Sequence, residues 1–340
     1  FDVPGDSLLN NTLFFNYKLY NRSQQSLNNT YVGLWSDWDL GYANDDYVGC
    51  DVQRSTVFCY NGTDFDLEYG SNLPIQTLTV LSGPTMPADS IDNPAYSGTE
   101  DCSLFVNNGL NQYAITGSNF GNGILDDERL GLTGFLYHNN NNSVCGDPND
   151  AQKYYYYLSS RWQDGSHMKY GGNGHGNNGG IGPDCNFMFP GNSDPYFWGT
   201  NGFVPDSTLQ YGSEGWNEAA AGNAPSDRRG LAMVGPFDFE AGGMQEVDFC
   251  LSTIFPTFID SNSKVDLSLL SFVDDLRREY EEGAFTELFS QPIIIPTNAT
   301  ICEGESYEFF GQSITAAGSY VHNITNDVGT TIDTSYLLNL

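Results

Sequence analysis

The chain has 340 residues, with 43 acidic against 12 basic side chains and a formal net charge of −31. That balance excludes nucleic acid as a partner, because neutralising phosphates requires clustered Lys and Arg. Only 16% of residues are charged while 39% are hydrophobic, so the acidity reflects scarce bases and the chain can bury a core rather than stay disordered.

Most of the sequence reads as short β segments punctuated by Gly, Asn, Asp and Pro. Thr12–Tyr20 and Thr30–Trp35 are expected to form an antiparallel pair, and Ile75–Leu81 alternates with the period of a strand. A helix is expected near 148–163, with Asp147 as N-cap, Pro148 at its first position, and Tyr154, Leu158 and Trp162 as its apolar stripe before Gly165. The Gly-rich run from Tyr170 to Gly182 lacks the Lys of a phosphate-binding loop and reads as a long surface loop in which backbone packs closely.

Leu231–Phe239 and Glu246–Ile254, joined by a turn at Ala241, read as sandwich strands. A second helix is expected near 264–282: Ser263 and Asp266 make an acidic capping box, and Leu269, Val273, Leu276 and Tyr280 lie on one stripe. Residues 291–296, the Pro-bracketed Ile run, read as an extended linker or a first strand, and 297–340 as a separate small β unit. The fold class is therefore mainly β: a large β-sandwich-like domain over 1–290 with about two helices, then a small β repeat. That Ile run is the longest greasy stretch, well short of the ~18 apolar residues of a membrane-spanning helix.

Seven dispersed cysteines without zinc-ligand spacing point to disulfides and an oxidising compartment. Cys50 and Cys59 have the spacing of a hairpin bridge, and Cys145 with Cys185 closes the Asn/Gly-rich middle. Cys102 and Cys250 are further candidates, and Cys302 is the expected odd thiol. A start at Phe1 without an initiator Met suggests a removed leader or a piece of a longer protein, and a secreted setting is the expectation. Asn-x-Ser/Thr triplets at Asn10, Asn21, Asn28, Asn61, Asn141, Asn298 and Asn323 are weak glycosylation signals.

Two stretches have metal-binding character. Asp37, Asp39, Asn44, Asp45, Asp46 and Asp51 gather hard oxygen donors suited to calcium, although their spacing is not that of an EF-hand. Asn122, Asp126 and Glu128 form a weaker second candidate, and the solvated acidic turn is the plain alternative for both. Trp35, Trp38, Trp198 and Trp216 stand among Asn, Asp and Gly as in a carbohydrate-stacking groove, with Trp38 and Trp198 selected as ligand-binding; core anchoring is the competing reading. No His-Glu-x-x-His, Gly-x-Ser-x-Gly or Gly-Lys-Ser/Thr signature occurs, so no enzyme activity is expected.

The segment with Ile301, Cys302, Gly304, Ser306, Tyr307, Phe309, Gly311, Gly318, Tyr320 and Leu338-Asn339-Leu340 resembles the Ig-like repeats of very long Bacteroidota surface proteins. It departs from them at 329–333, where Gly-Thr-Thr-Ile-Asp replaces the context of their second cysteine. Asn29–Gly41, Asp45–Asp51, Gly121–Arg129, Phe135–Asn139, Tyr170–His175, Cys185–Gly191 and Asp227–Phe237 are similar to N-terminal regions of proteins exported by the type IX secretion system. Asp-Ser triplets at Asp6, Asp89 and Asp206 look like the O-glycosylation acceptors of such proteins.

The resemblance implies a cell-surface adhesin or structural filament component, linked to gliding or attachment. A carbohydrate-binding module or accessory domain of a secreted glycoside hydrolase is the alternative. Expected partners are a surface glycan, another surface protein, or self-association by strand addition at an exposed edge.

Overall fold

The computed structural model describes residues 7–94, 117–209, 211–256, 267–283, 293–302, 304–325 and 332–339. In chain order the elements are α1 (Ser7–Asn10), β1 (Thr12–Tyr20), β2 (Leu27–Trp38), β3 (Asp46–Asp51), β4 (Thr56–Asn61), β5 (Ile75–Ser82), β6 (Gly134–His138), α2 (Ala151–Leu158), β7 (Arg228–Phe239), β8 (Met244–Ile254), α3 (Leu267–Glu281), β9 (Ile293–Asn298), β10 (Tyr307–Phe309), β11 (Gln312–Ile314), β12 (Ser319–Thr325) and β13 (Ile332–Asn339). The chain is mainly β, as its sequence indicates, and divides into two compact units, 1–277 and 278–340.

In the first unit an antiparallel sheet runs β1-β8-β5-β4-β3 and a second runs β2-β7-β6. β1 and β2 do not pair with each other: β1 lies on β8 and β2 on β7. The six residues between them form a corner rather than a hairpin turn. Buried Asn21 donates through Nδ2 to the carbonyls of Phe239 and Gln25, both at 2.9 Å, and accepts from Ser23 through Oδ1. These bonds satisfy a polar side chain that would otherwise be costly to bury. Asn21 and Asn61, 5% and 4% exposed, cannot serve as glycan acceptors in the folded chain.

One face of the five-stranded sheet contributes Val48, Cys50, Val57, Cys59, Leu78 and Val80 to the main core, which also takes Trp38, Phe135, Tyr137, Ala232 and Val234 from β2, β6 and β7. On its opposite face Tyr47, Phe58, Tyr60, Ile75 and Ile254 pack with Leu269 and Val273 of α3. Asp274 of that helix holds Arg54 through two bonds, at 2.8 and 2.9 Å. Residues Ser263 and Asp266, the expected cap of α3, lie outside the described residues.

Helix α2 is shorter than its sequence pattern suggests. Its N-cap is Asp150, which accepts from the Lys153 amide at 2.9 Å, because Asp147 is drawn away by Arg229. It ends at Leu158; its buried residue is Tyr157, while Tyr154 faces solvent. Trp162 lies beyond the helix, fully buried, and donates to the Gly174 carbonyl at 2.7 Å. Trp216 likewise donates to Gly172 at 3.0 Å, so two indoles pin the Gly-rich run to the core. Gly172 has φ +50° and its α-carbon faces the Asn178 carbonyl too closely for any side chain.

Among the described residues the expected cysteine bridges are absent: Cys50, Cys59, Cys145, Cys185, Cys250 and Cys302 are free thiols, and Cys102 lies outside the described residues. In the β3–β4 ladder Cys50 faces Val57 and Cys59 faces Val48, so the two cysteines are diagonal neighbours. Diagonal α-carbons lie about 7–8 Å apart, beyond disulfide reach. Cys145 rests against the Asn178 amide at 3.9 Å, whereas Cys185 is anchored through its own amide to Met168.

In the second unit β13 pairs antiparallel with β12 and parallel with β9, and β10–β11 form a separate ladder. The Ile run at 291–296, read as an extended linker or a first strand, is thus a paired strand from Ile293. Residues 329–331 of the departure from the repeat pattern lie outside the described residues.

Candidate functional site

The registers of the three-stranded sheet assemble a polar patch at one end. Asp37 of β2 faces Arg229 of β7, and Arg229 faces His138 of β6, so the three side chains stand in one row. Just past the ends of these ladders, beyond Trp38↔Arg228, Asp39 lies near Asp227, and Asp227 accepts from Asn140. One step the other way lies the row Trp35, Leu231, Leu136. Side chains two apart along a strand share a face, so the Trp35 and Asp37 rows point the same way.

Asp37, Asp39 and Asp227 bring carboxylate oxygens within 4.8 Å of one another. Asp227 accepts from the Asn140 amide through Oδ2 at 3.1 Å, while its Oδ1 is buried without a donor. Arg229 is the positive group of the patch. Its Nε donates to Asp37 at 3.1 Å and its Nη1 to both oxygens of Asp147 at 3.0 Å. Burial works against the Arg229 charge, but these bonds outweigh it and hold its pKa above the usual value. Among the described residues no Lys or Arg pairs with Asp39 or Asp227. Like charges held this close repel, and a hard cation taking oxygen ligands relieves that repulsion.

His138, 2% exposed, connects these rows to Trp35. Its Nε2 accepts from the Trp35 indole N–H at 3.3 Å, which places its proton on Nδ1, facing Asp147 Oδ1 at 3.4 Å. Burial pushes its pKa below 6.5, Asp147 opposing in part and Arg229 assisting. The indole of Trp35 is itself 55% exposed.

Of the six oxygen donors selected in 37–51, only Asp37 and Asp39 join this patch. Asn44 is exposed in a separate turn. Asp45 accepts from the Asn61 amide at 3.0 Å, and the same amide lies 3.3 Å from Asp66. Asp66, buried, caps its own loop by accepting from the amides of Tyr42, Glu68 and Tyr69. Asp51 is bound to Arg54 at 2.9 Å.

Asp46 is fully buried. Its Oδ2 accepts from the Leu40 amide at 3.1 Å, Oδ1 receives no N–H or O–H, and the Cys59 thiol lies beside the carboxyl. Burial, with the Asp45 and Asp66 carboxylates, raises its pKa to about 8 against the opposing Leu40 amide and Arg228. The 37–51 segment is therefore not one calcium loop, because strand β3 carries its second half into the core.

The second candidate is also held by internal bonds. Asp126 Oδ1 accepts from the amides of Asp89 and Ser90 at 2.6 and 2.7 Å, Asn122 donates to Asp127 at 3.0 Å, and buried Glu128 accepts from the Asn93 amide. Trp38 and Trp198, at 4% and 1% exposure, are core residues and offer no face to a ligand. Trp35 is the exposed indole of the sheet. Asp227 and Arg229 were missed because they lie some 190 residues from Asp37; the signal present was an Asp-Arg-Arg opening an alternating strand.

A second charged centre is wholly internal. Arg228, whose side chain points to the opposite face from Arg229, pairs with Glu218 at 2.8 Å, and both are buried. Glu218 also accepts from the Val48 amide at 2.8 Å and the Asn223 amide at 3.1 Å, while Arg228 lies over the Tyr137 ring at 4.9 Å. The pair has no open face and ties β7 to β3.

No protein family, curated protein or solved structure matches the chain.

Proposed function

We infer that the chain is a non-enzymatic module of a secreted surface protein, an adhesin or structural component, whose β2–β7–β6 sheet end binds calcium through Asp37, Asp39 and Asp227. The observation that carries this reading is the cluster in which Asp37, Asp39 and Asp227 bring carboxylate oxygens within 4.8 Å of one another, with a buried oxygen of Asp227 lacking a donor. The secreted setting, the link to gliding or attachment and the Ig-like character of the second unit rest on the sequence resemblance. No helix among the described residues is long and apolar enough to cross a membrane.

The test is thermal unfolding with calcium and with chelator. A ligand that binds only the folded state stabilises by about 2.7 kcal/mol at a hundredfold excess over Kd, which corresponds to a rise of roughly 5 °C or more for a unit of this size. Asp39→Asn combined with Asp227→Asn removes the rise. A wild-type chain indifferent to calcium refutes the metal site.

A further inference from the structure

We propose that the exposed indole of Trp35 is a stacking platform for a neutral pyranose of a polysaccharide, whose hydroxyls reach the adjoining polar rows. The inference deepens the reading above, since it names the ligand of the same sheet end.

An exposed tryptophan alone is ordinary, but Trp35 is held. Its N–H is committed to His138 Nε2 at 3.3 Å, and His138 is 2% exposed, so the support is part of the protein interior. His138 faces Asp147, Asp147 is bound by Arg229, and Arg229 in turn binds Asp37. The ring is thereby fixed in orientation while more than half of it stays open to solvent. A fixed aromatic face costs little ordering entropy on binding.

The sugar's two kinds of surface match this geometry. The apolar C–H face of a pyranose suits an indole, which combines a large apolar body with fixed geometry. Asp37 lies two residues along the same face of β2, about 6.6 Å away at strand rise, the scale of one ring. A hydroxyl at that distance meets the Asp37 carboxylate, and the next sugar of the polymer reaches the Asp39 and Asp227 carboxylates, the Asn140 amide, and calcium when it is bound there.

Charge selects among glycans. Four carboxylates, on Asp37, Asp39, Asp147 and Asp227, face one guanidinium on Arg229, on a chain of net charge −31. Without calcium, uronic acid and sulfated polymers are therefore repelled, and neutral hexose or pentose polymers are the class that fits.

The experiment is native affinity electrophoresis of the whole chain through gels containing mannan, amylose, laminarin, xylan or dextran, with alginate and heparin as anionic comparisons, each with calcium and with chelator. Wild-type protein is expected to be retarded by at least one neutral polymer and, in chelator, by neither anionic one. Trp35→Ala is expected to weaken the apparent affinity about 30-fold, the loss typical of truncating a central aromatic anchor. Trp35→Phe, which keeps a ring without the N–H, retains part of it. Circular dichroism confirms that the variants fold.

Absence of retardation by every neutral polymer, retardation by anionic polymers alone, or equal retardation of Trp35→Ala each overturns the platform. Calcium titration of the same samples separates the two readings. Calcium uptake without glycan retardation sinks the platform alone. Trp35-dependent retardation that persists in chelator, in a chain that takes up no calcium, upholds the platform and sinks the metal site.

Discussion

Replacing Asp46 by Asn should stabilise the first unit, and the size of the gain should depend on pH in a defined way. The carboxyl is fully buried and its pKa stands near about 8, raised chiefly by burial, against 3.8 as the ordinary value. Between those two values the folded chain holds one proton more than the unfolded chain at this site. Stability therefore falls as pH rises, by about 1.4 kcal/mol per pH unit, and the contribution is intact only below the unfolded value. By pH 7 the accumulated cost is of order 4 kcal/mol. Asn keeps the shape and can still accept from Leu40 through its carbonyl, but it does not titrate. The wild-type minus variant difference should be near zero at about pH 4, grow through neutrality and level off above about pH 8.

Denaturant unfolding followed by tryptophan fluorescence measures it, since all five tryptophans belong to the first unit. Using the difference cancels the titration of the other carboxylates. A difference that is flat with pH, or a variant less stable at every pH, would refute the reasoning and make Asp46 a charged group in the fold.

Truncating one member of the buried Arg228–Glu218 pair, as in Glu218→Ala, should cost about 3–5 kcal/mol in denaturant unfolding, because the partner is left charged in the core. His138 has a folded pKa below 6.5, so its contribution is present above that value and is lost as pH falls, when the unfolded chain takes up a proton first. Glycan retardation should weaken over the same acidic range, since protonated Nε2 no longer accepts from Trp35; a His138→Gln chain whose retardation keeps the full wild-type pH profile would contradict this. Alkylation under denaturing, non-reducing conditions followed by peptide mapping should return Cys50 and Cys59 modified as thiols, and recovery of a bridged peptide would contradict the diagonal register.

The alternation that marks strands was legible, and so was the mainly β class. Thr12–Tyr20 is β1, and Ile75–Leu81 lies within β5. Which strand lies beside which was not legible, because alternation specifies a face and not a neighbour. A six-residue connection reads as a hairpin, and only the bonds of Asn21 to Phe239, 218 residues away, turn it into a corner. The same limit hid the acidic patch: nearness in sequence grouped Asp37 with Asp51, whereas the β2–β7 ladder set it against Arg229, with Asp227 just beyond the ladder's end. Trp38 and Trp35 are close in sequence and opposite in fate, since an odd offset along β2 sends one to the core and the other to solvent.

The patch draws residues 192 positions apart into one lattice, and this gives it a mechanical meaning. A pull on β2 along its own axis has to slide it past β7, carrying Asp37 off Arg229 and Asp39 off Asp227 in the same movement. A cation or a glycan spanning those rows would act as a rivet across the shear plane. Under load along β2, ligand occupancy would then set the force at which the sheet yields. Single-molecule pulling should find a higher rupture force with ligand bound; equal forces would leave the lattice a binding surface without a load-carrying part.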